Sequence, residues 1–148
     1  MALFRNVAEL AEKLAGEAGR LKKRAAIAEA ISSAHAEASE SEDAGLFALY
    51  MSGTPFAEAD SRKLNAGGAL LSKALLEVSG ATQIELTAAY KQHGDLGAAG
   101  FDLFAGRTVA EASLTLAEVA DAFAAMAVAR TTAVRAGLVE ALDRKSVV

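Results

Sequence analysis

The chain has 148 residues, a quarter of them alanine, no cysteine, and a formal charge of −4, so it reads as one domain with no disulfide framework, thiolate metal site or cysteine nucleophile. Leucine, isoleucine, valine and phenylalanine spread along its whole length exclude disorder. No apolar run nears the roughly 18 residues of a membrane span, Arg5 and Asn6 cut off any signal-peptide core after Met1–Phe4, and the acidic balance argues against a surface given over wholly to nucleic acid.

Alanine-rich sequence with few β-branched or aromatic residues predicts helix. Leu3, Val7, Leu10 and Leu14 recur at helical spacing and predict a first helix over 3–15. After Gly16 and Gly19, a second helix over about 20–36 is expected to bury a stripe of Leu21, Ala25, Ala28 and Ile31. Residues 37–45 form an acidic break, and Leu46, Leu49 and Tyr50 mark a short third helix that stops near Gly53-Thr54-Pro55. Residues 54–66 read as loop. Leu70, Leu71, Ala74, Leu75 and Val78 then form the cleanest helical pattern, and Gly80 stands where a left-handed C-terminal cap belongs.

Thr82-Gln83-Ile84-Glu85 is a capping box that starts a fifth helix, running to about Gln92. The turn His93-Gly94-Asp95-Leu96-Gly97 leads into a sixth, ending near Gly106. A second capping box, Thr115-Leu116-Ala117-Glu118, has Leu114 and Val119 placed as its hydrophobic staple. The seventh helix runs to about Val128. An eighth spans about 132–143, with Val134, Leu138, Val139 and Leu142 apolar. Thr108-Val109 is the one candidate for a strand. The expectation is an all-α fold of about eight helices in a single helical domain over 1–148.

No enzyme motif is present. There is no Gly-Lys pair for a phosphate-binding Walker loop and no Gly-x-Gly-x-x-Gly. His35 and His93, far apart, read as solvent-facing rather than as metal ligands. Asp95 and Asp102 could pair for acid–base work, but an N-cap at the turn accounts for Asp95.

Charge is patterned: residues 1–36 carry +2, 37–60 carry −6 and 61–80 carry +2. The basic residues gather at Arg20-Leu21-Lys22-Lys23-Arg24 and at Arg62, Lys63 and Lys73 around Gly67-Gly68. Two glycines at a helix start let a phosphate approach free N–H groups at the positive end of the dipole. The same residues also describe a plain glycine loop before a helix, with solvated cations. On spacing alone the plain loop is the more economical reading, and a solvated helix start is the same for the Arg20–Arg24 cluster.

Several stretches, in this order, resemble the N-terminal helical DNA-binding domain of ATP-dependent DNA ligases. Arg20-Leu21-Lys22-Lys23 leading to Ala28-Glu29-Ala30-Ile31 is similar to that family's Arg-Leu-x-Lys stretch. Leu64-Asn65-Ala66-Gly67-Gly68-Ala69-Leu70-Leu71-Ser72-Lys73-Ala74 is similar to its Leu-Gly-Val-Gly-x-x-Leu-Leu-x-Lys-Ala. Val78-Ser79-Gly80, His93-Gly94-Asp95-Leu96-Gly97 and Leu114-Thr115-Leu116-Ala117-Glu118-Val119 follow in the family's order. The resemblance covers Phe4 to Leu142. Asn65 departs from it, standing where many members have glycine.

The resemblance implies a non-catalytic module that holds nicked or intact duplex DNA by backbone and minor-groove contacts. The sites it implies are Arg62, Lys63, Gly67, Gly68 and Lys73, then Lys22, Lys23 and Arg24, then Arg130 and Arg135. The family's nucleotidyltransferase domain, which uses ATP and Mg, carries a Lys-x-Asp-Gly motif. None of the seven lysines here begins one, so the chain alone is expected to bind no cofactor and to join no strands; the parent would be the ligase, with that domain in cis. The family's second basic, glycine-containing loop is missing after Leu142, so the domain is expected to be incomplete at its C-terminal end and to pair as a homodimer through exposed apolar helix faces. Cytoplasmic localisation and no membrane partner are expected. The alternative is a helical protein–protein interaction or scaffold module.

Overall fold

A computed structural model describes residues 1–37, 39–106 and 111–146. Among them are eight helices and no strand: α1 (Phe4–Ala15), α2 (Arg20–Glu37), α3 (Asp43–Met51), α4 (Gly68–Ser79), α5 (Gln83–His93), α6 (Leu96–Phe104), α7 (Leu116–Val128) and α8 (Thr132–Ser146). Thr108-Val109, the candidate strand, lies outside the described residues.

The helix ends follow the capping chemistry of the sequence. Thr82 accepts from the Glu85 N–H while the Glu85 carboxylate accepts from the Thr82 N–H at 2.7 Å. Thr115 and Glu118 repeat the arrangement ahead of α7 at 3.1 and 2.8 Å. Asp95 caps α6 by accepting from the Ala98 N–H at 2.8 Å. Each box satisfies two backbone donors that a helix start would leave open. Gly80 and Gly94 end α4 and α5 in the left-handed region, at φ 70° and 68°, where a Cβ would be strained.

The chain gathers into two compact units. The first comprises Met1–Leu64 with Ser113–Phe123. There α1, α2 and α3 pack on one another around Ala2, Val7, Leu10, Phe47 and Leu116. Leu3 and Thr115 form an isolated antiparallel bridge. The Phe4 N–H donates to the Leu114 carbonyl at 2.8 Å, and the Leu116 N–H to that of Ala2 at 3.0 Å. The Ala2 N–H donates to the buried Asp43 carboxylate at 2.8 Å, so the acidic break ends on a side chain that ties down the N-terminal segment. Tyr50 lies edge-on to Phe4 and Phe123, with centroids 6.1 and 5.7 Å away. Burial, and then Asp121, push its hydroxyl up to about 12, so it stays neutral at ordinary pH.

The second unit comprises Asn65–Ala112 with Ala124–Val148. In it α5 packs on α6, and α4 on α8, α6 and α5. Leu86, Ala89 and Ala99 are its buried centre, flanked by Leu76, Leu96 and Leu103. Gly100 is buried, and a Cβ there would stand 3.1 Å from the Leu75 Cδ2, so α6 crosses α4 at a point where side-chain volume is scarce.

Two expected helix faces are corrected. On α2 the expected inward stripe of Leu21, Ala25, Ala28 and Ile31 survives only at Ile31. Leu21 is 80 % exposed, Ala25 and Ala28 face solvent, and Ala26, Ile27, Ala30 and Ile31 pack on the core instead. Apolar residues occupy every side of this helix, so hydropathy alone does not choose a face. On α8, Val139 is buried but Val134 is 55 % exposed.

Candidate functional site

In the first unit the basic cluster is carried by the opening turns of α2, where the helical turn divides it. Lys22 lines one shallow depression with Lys13, Leu14, Glu17, Ala25, Ala26 and Glu29. Lys23 and Arg24 belong to a different face, with Arg20. Among the described residues, none of the four cations from Arg20 to Arg24 is within ion-pair distance of a carboxylate.

Arg62 is held locally. Its Nε reaches both oxygens of Asp60 at 3.1 and 3.0 Å and its Nη2 reaches Oδ2 at 2.7 Å, while its backbone N–H also donates to Asp60 at 2.9 Å. The guanidinium lies 4.6 Å from the centre of the Phe56 ring. The hydrogen bonds from Arg62 hold the Asp60 carboxyl below its usual range, and those to Asp60 raise the guanidinium. This charge is thus already neutralised by a fork-to-carboxylate pair. Lys63 is exposed.

In the second unit Asn65 has φ 55°, the left-handed region. Gly67 is the N-cap of α4 at φ −81° and ψ 171°, with no side-chain hydrogen bond capping the helix. Gly68 is the first helical residue. Both glycines are exposed, and a Cβ built on either meets nothing within 4 Å. Neither backbone strain nor packing within the chain therefore requires glycine here. The first N–H groups of α4 stand at the positive end of the helix dipole. Lys73 is exposed farther along α4, about 140° around the axis and about 7.5 Å along it from Gly68. It can add charge but does not share one stripe with the glycines.

Arg130 is exposed between α7 and α8. Arg135 is half-buried and donates to the carbonyls of Met126 and Ala129 at 3.4 and 2.8 Å. It satisfies the end of α7, a structural duty that basic side chains near helix C-termini perform.

One polar pair was not legible in the sequence. His93, the last residue of α5, places Nε2 2.6 Å from the Asp102 Oδ2 on α6. The pair is partly exposed, and nothing in the linear spacing marks it. Among the described residues, no group of three or more histidine, aspartate or glutamate side chains is placed to hold a metal ion, and no helix is long and apolar enough to cross a membrane.

The family model described as DNA ligase N terminus matches residues 3–144. A probable DNA ligase of Koribacter versatilis (strain Ellin345) is 39 % identical over 100 residues, an alignment covering 68 % of this chain and 17 % of that protein. The chain thus spans a small part of the length of the curated relative that it matches.

Proposed function

Because the chain belongs to the DNA ligase N-terminus family, we propose that it is a non-catalytic module that holds nicked duplex DNA by backbone and minor-groove contacts. Strand joining would fall to a catalytic domain in cis, which would also take the ATP and Mg. The chain has no Lys-x-Asp-Gly, so its own contribution is to bind and orient the duplex, in the cytoplasm, with little sequence preference.

The observation that carries this reading is the start of α4. Gly67, its N-cap, has no side chain to cap the helix, and a Cβ built on Gly67 or Gly68 meets nothing within 4 Å, so a phosphate can approach closely. Lys73 and Arg130 of the same unit add charge. Arg62 and Arg135 are committed to Asp60 and to the end of α7 and rank below them.

The test is one that separates folding from binding. Aspartate at an N-cap stabilises a helix at least as well as glycine, yet it puts a carboxylate where the phosphate would sit. Gly67→Asp is expected to melt at or above the temperature of the parent chain and to bind a fluorescent nicked duplex about tenfold more weakly. Undiminished binding would remove the site. A homodimer is part of the same proposal: Val128 is 73 % and Val134 55 % exposed, apolar surface that a second copy would cover. Light scattering should then show mass rising with concentration, and a constant monomer mass would discard the dimer.

A further inference from the structure

The outer face of α2 carries a second surface, of different chemistry. Arg20, Lys23, Arg24, Ile27, Ala28 and Ile31 fall at i, i+3, i+4, i+7, i+8 and i+11, the spacing of one helix stripe. Together they form an open, nearly flat face of this one helix, with no other element lining it among the described residues. The stripe runs about 16 Å along the helix. Its chemistry changes along that length. The first half is basic, with Arg20 and Arg24 exposed and Lys23 half-buried. The second half is aliphatic, with Ala28 exposed and Ile27 and Ile31 offering the edges that the core does not cover.

The position of the cations is itself informative. The first turn of α2 contains no acidic residue, although Arg20, Lys22 and Lys23 stand there at the positive end of the helix dipole. That placement works against the helix. The Glu17 carboxylate already stands at that end, accepting from the Gly19 N–H at 2.7 Å, but among the described residues no carboxylate pairs with Arg20, Lys23 or Arg24. These three cations are thus left to meet an acidic partner.

A phosphate backbone could meet the three cations but would gain nothing from the Ile27–Ile31 floor. An occupant with carboxylates at one end and aliphatic side chains at the other complements both halves. We propose that this stripe docks an acidic amphipathic helix of another protein, about three turns long, laid along the exposed face of α2. Its carboxylates would meet Arg20, Lys23 and Arg24, and its aliphatic side chains would lie on Ile27, Ala28 and Ile31.

The test uses the 148-residue chain and a fluorescent peptide of about 16 residues, with glutamates flanking one leucine stripe at i, i+4 and i+7. Binding is expected in the micromolar range. It should weaken at least tenfold when the glutamates become lysines, when the leucines become serines, and in Arg20→Glu and Ala28→Glu proteins. Both substituted side chains are exposed, and Arg20→Glu puts an acid in the first turn of α2, so its melting temperature should hold or rise. Excess nicked duplex should leave the peptide bound. The proposal is overturned by absent binding, by equal binding of the control peptides, or by displacement of the peptide by nicked duplex, in which case the stripe is DNA surface.

Discussion

Asp143 is the residue whose environment most clearly disagrees with its charge. Its Oδ2 is buried without a hydrogen-bond partner, and burial first, then Glu140, raises the carboxyl from the ordinary 3.8 to about 6. The folded state thus binds this proton more tightly than the unfolded chain does. The resulting stability is fully present below about pH 4 and is lost as pH rises through 6. The side chain is only half-buried, so solvent screening reduces the effect to about 1 kcal/mol. Asp143→Asn should therefore melt above the parent at pH 7.5 and match it near pH 4. Parallel pH profiles for the two proteins would show that the carboxyl is solvated after all. Arg62 and Asn65 show what single residues conceal and reveal. Counting charge made Arg62 a candidate contact, but Asp60, two residues before it, takes its guanidinium. Asn65 departs from a family glycine, yet its φ of 55° explains the exchange, because asparagine is among the side chains that best tolerate the left-handed region.

At the scale of the element, the helices were legible where local chemistry decides them. The boxes at Thr82 and Thr115, the Asp95 cap and the glycines Gly80 and Gly94 fix ends through contacts within a few residues, and all of them form. The inward face of α2 was not legible, because alanine surrounds that helix and the choice between Ala25–Ala28 and Ala26–Ile27–Ala30 depends on what α1 and α3 present. The Leu3–Thr115 bridge, the Ala2–Asp43 hydrogen bond and the His93–Asp102 pair were hidden for the same reason: each is made by tertiary contact. The candidate site follows this division. The place of Gly67 and Gly68 at the start of α4 was legible because an interrupted pattern precedes a strong helix. The duty of Arg135 at the end of α7 was hidden because it needs the α7–α8 turn in place.

At the scale of the whole molecule, a net charge of −4 repels a polyanion, so any duplex binding must come from local cations and should be weak and strongly dependent on salt. The charge map makes the conflict explicit, since residues 37–60 alone carry −6. If Lys73 and Arg130 each neutralise one phosphate, log K should fall by about 1.8 per decade of salt, or roughly twelvefold between 50 and 200 mM. Lys73→Ala should lower that slope by about 0.9, whatever it does to the affinity itself. The measurement is a titration of nicked duplex at four or so salt concentrations with parent and variant. A slope unchanged by Lys73→Ala would mean that the lysine does not reach a phosphate. A slope near zero would mean that the protein meets DNA without displacing counterions, which a surface built on an open helix start and exposed cations cannot do.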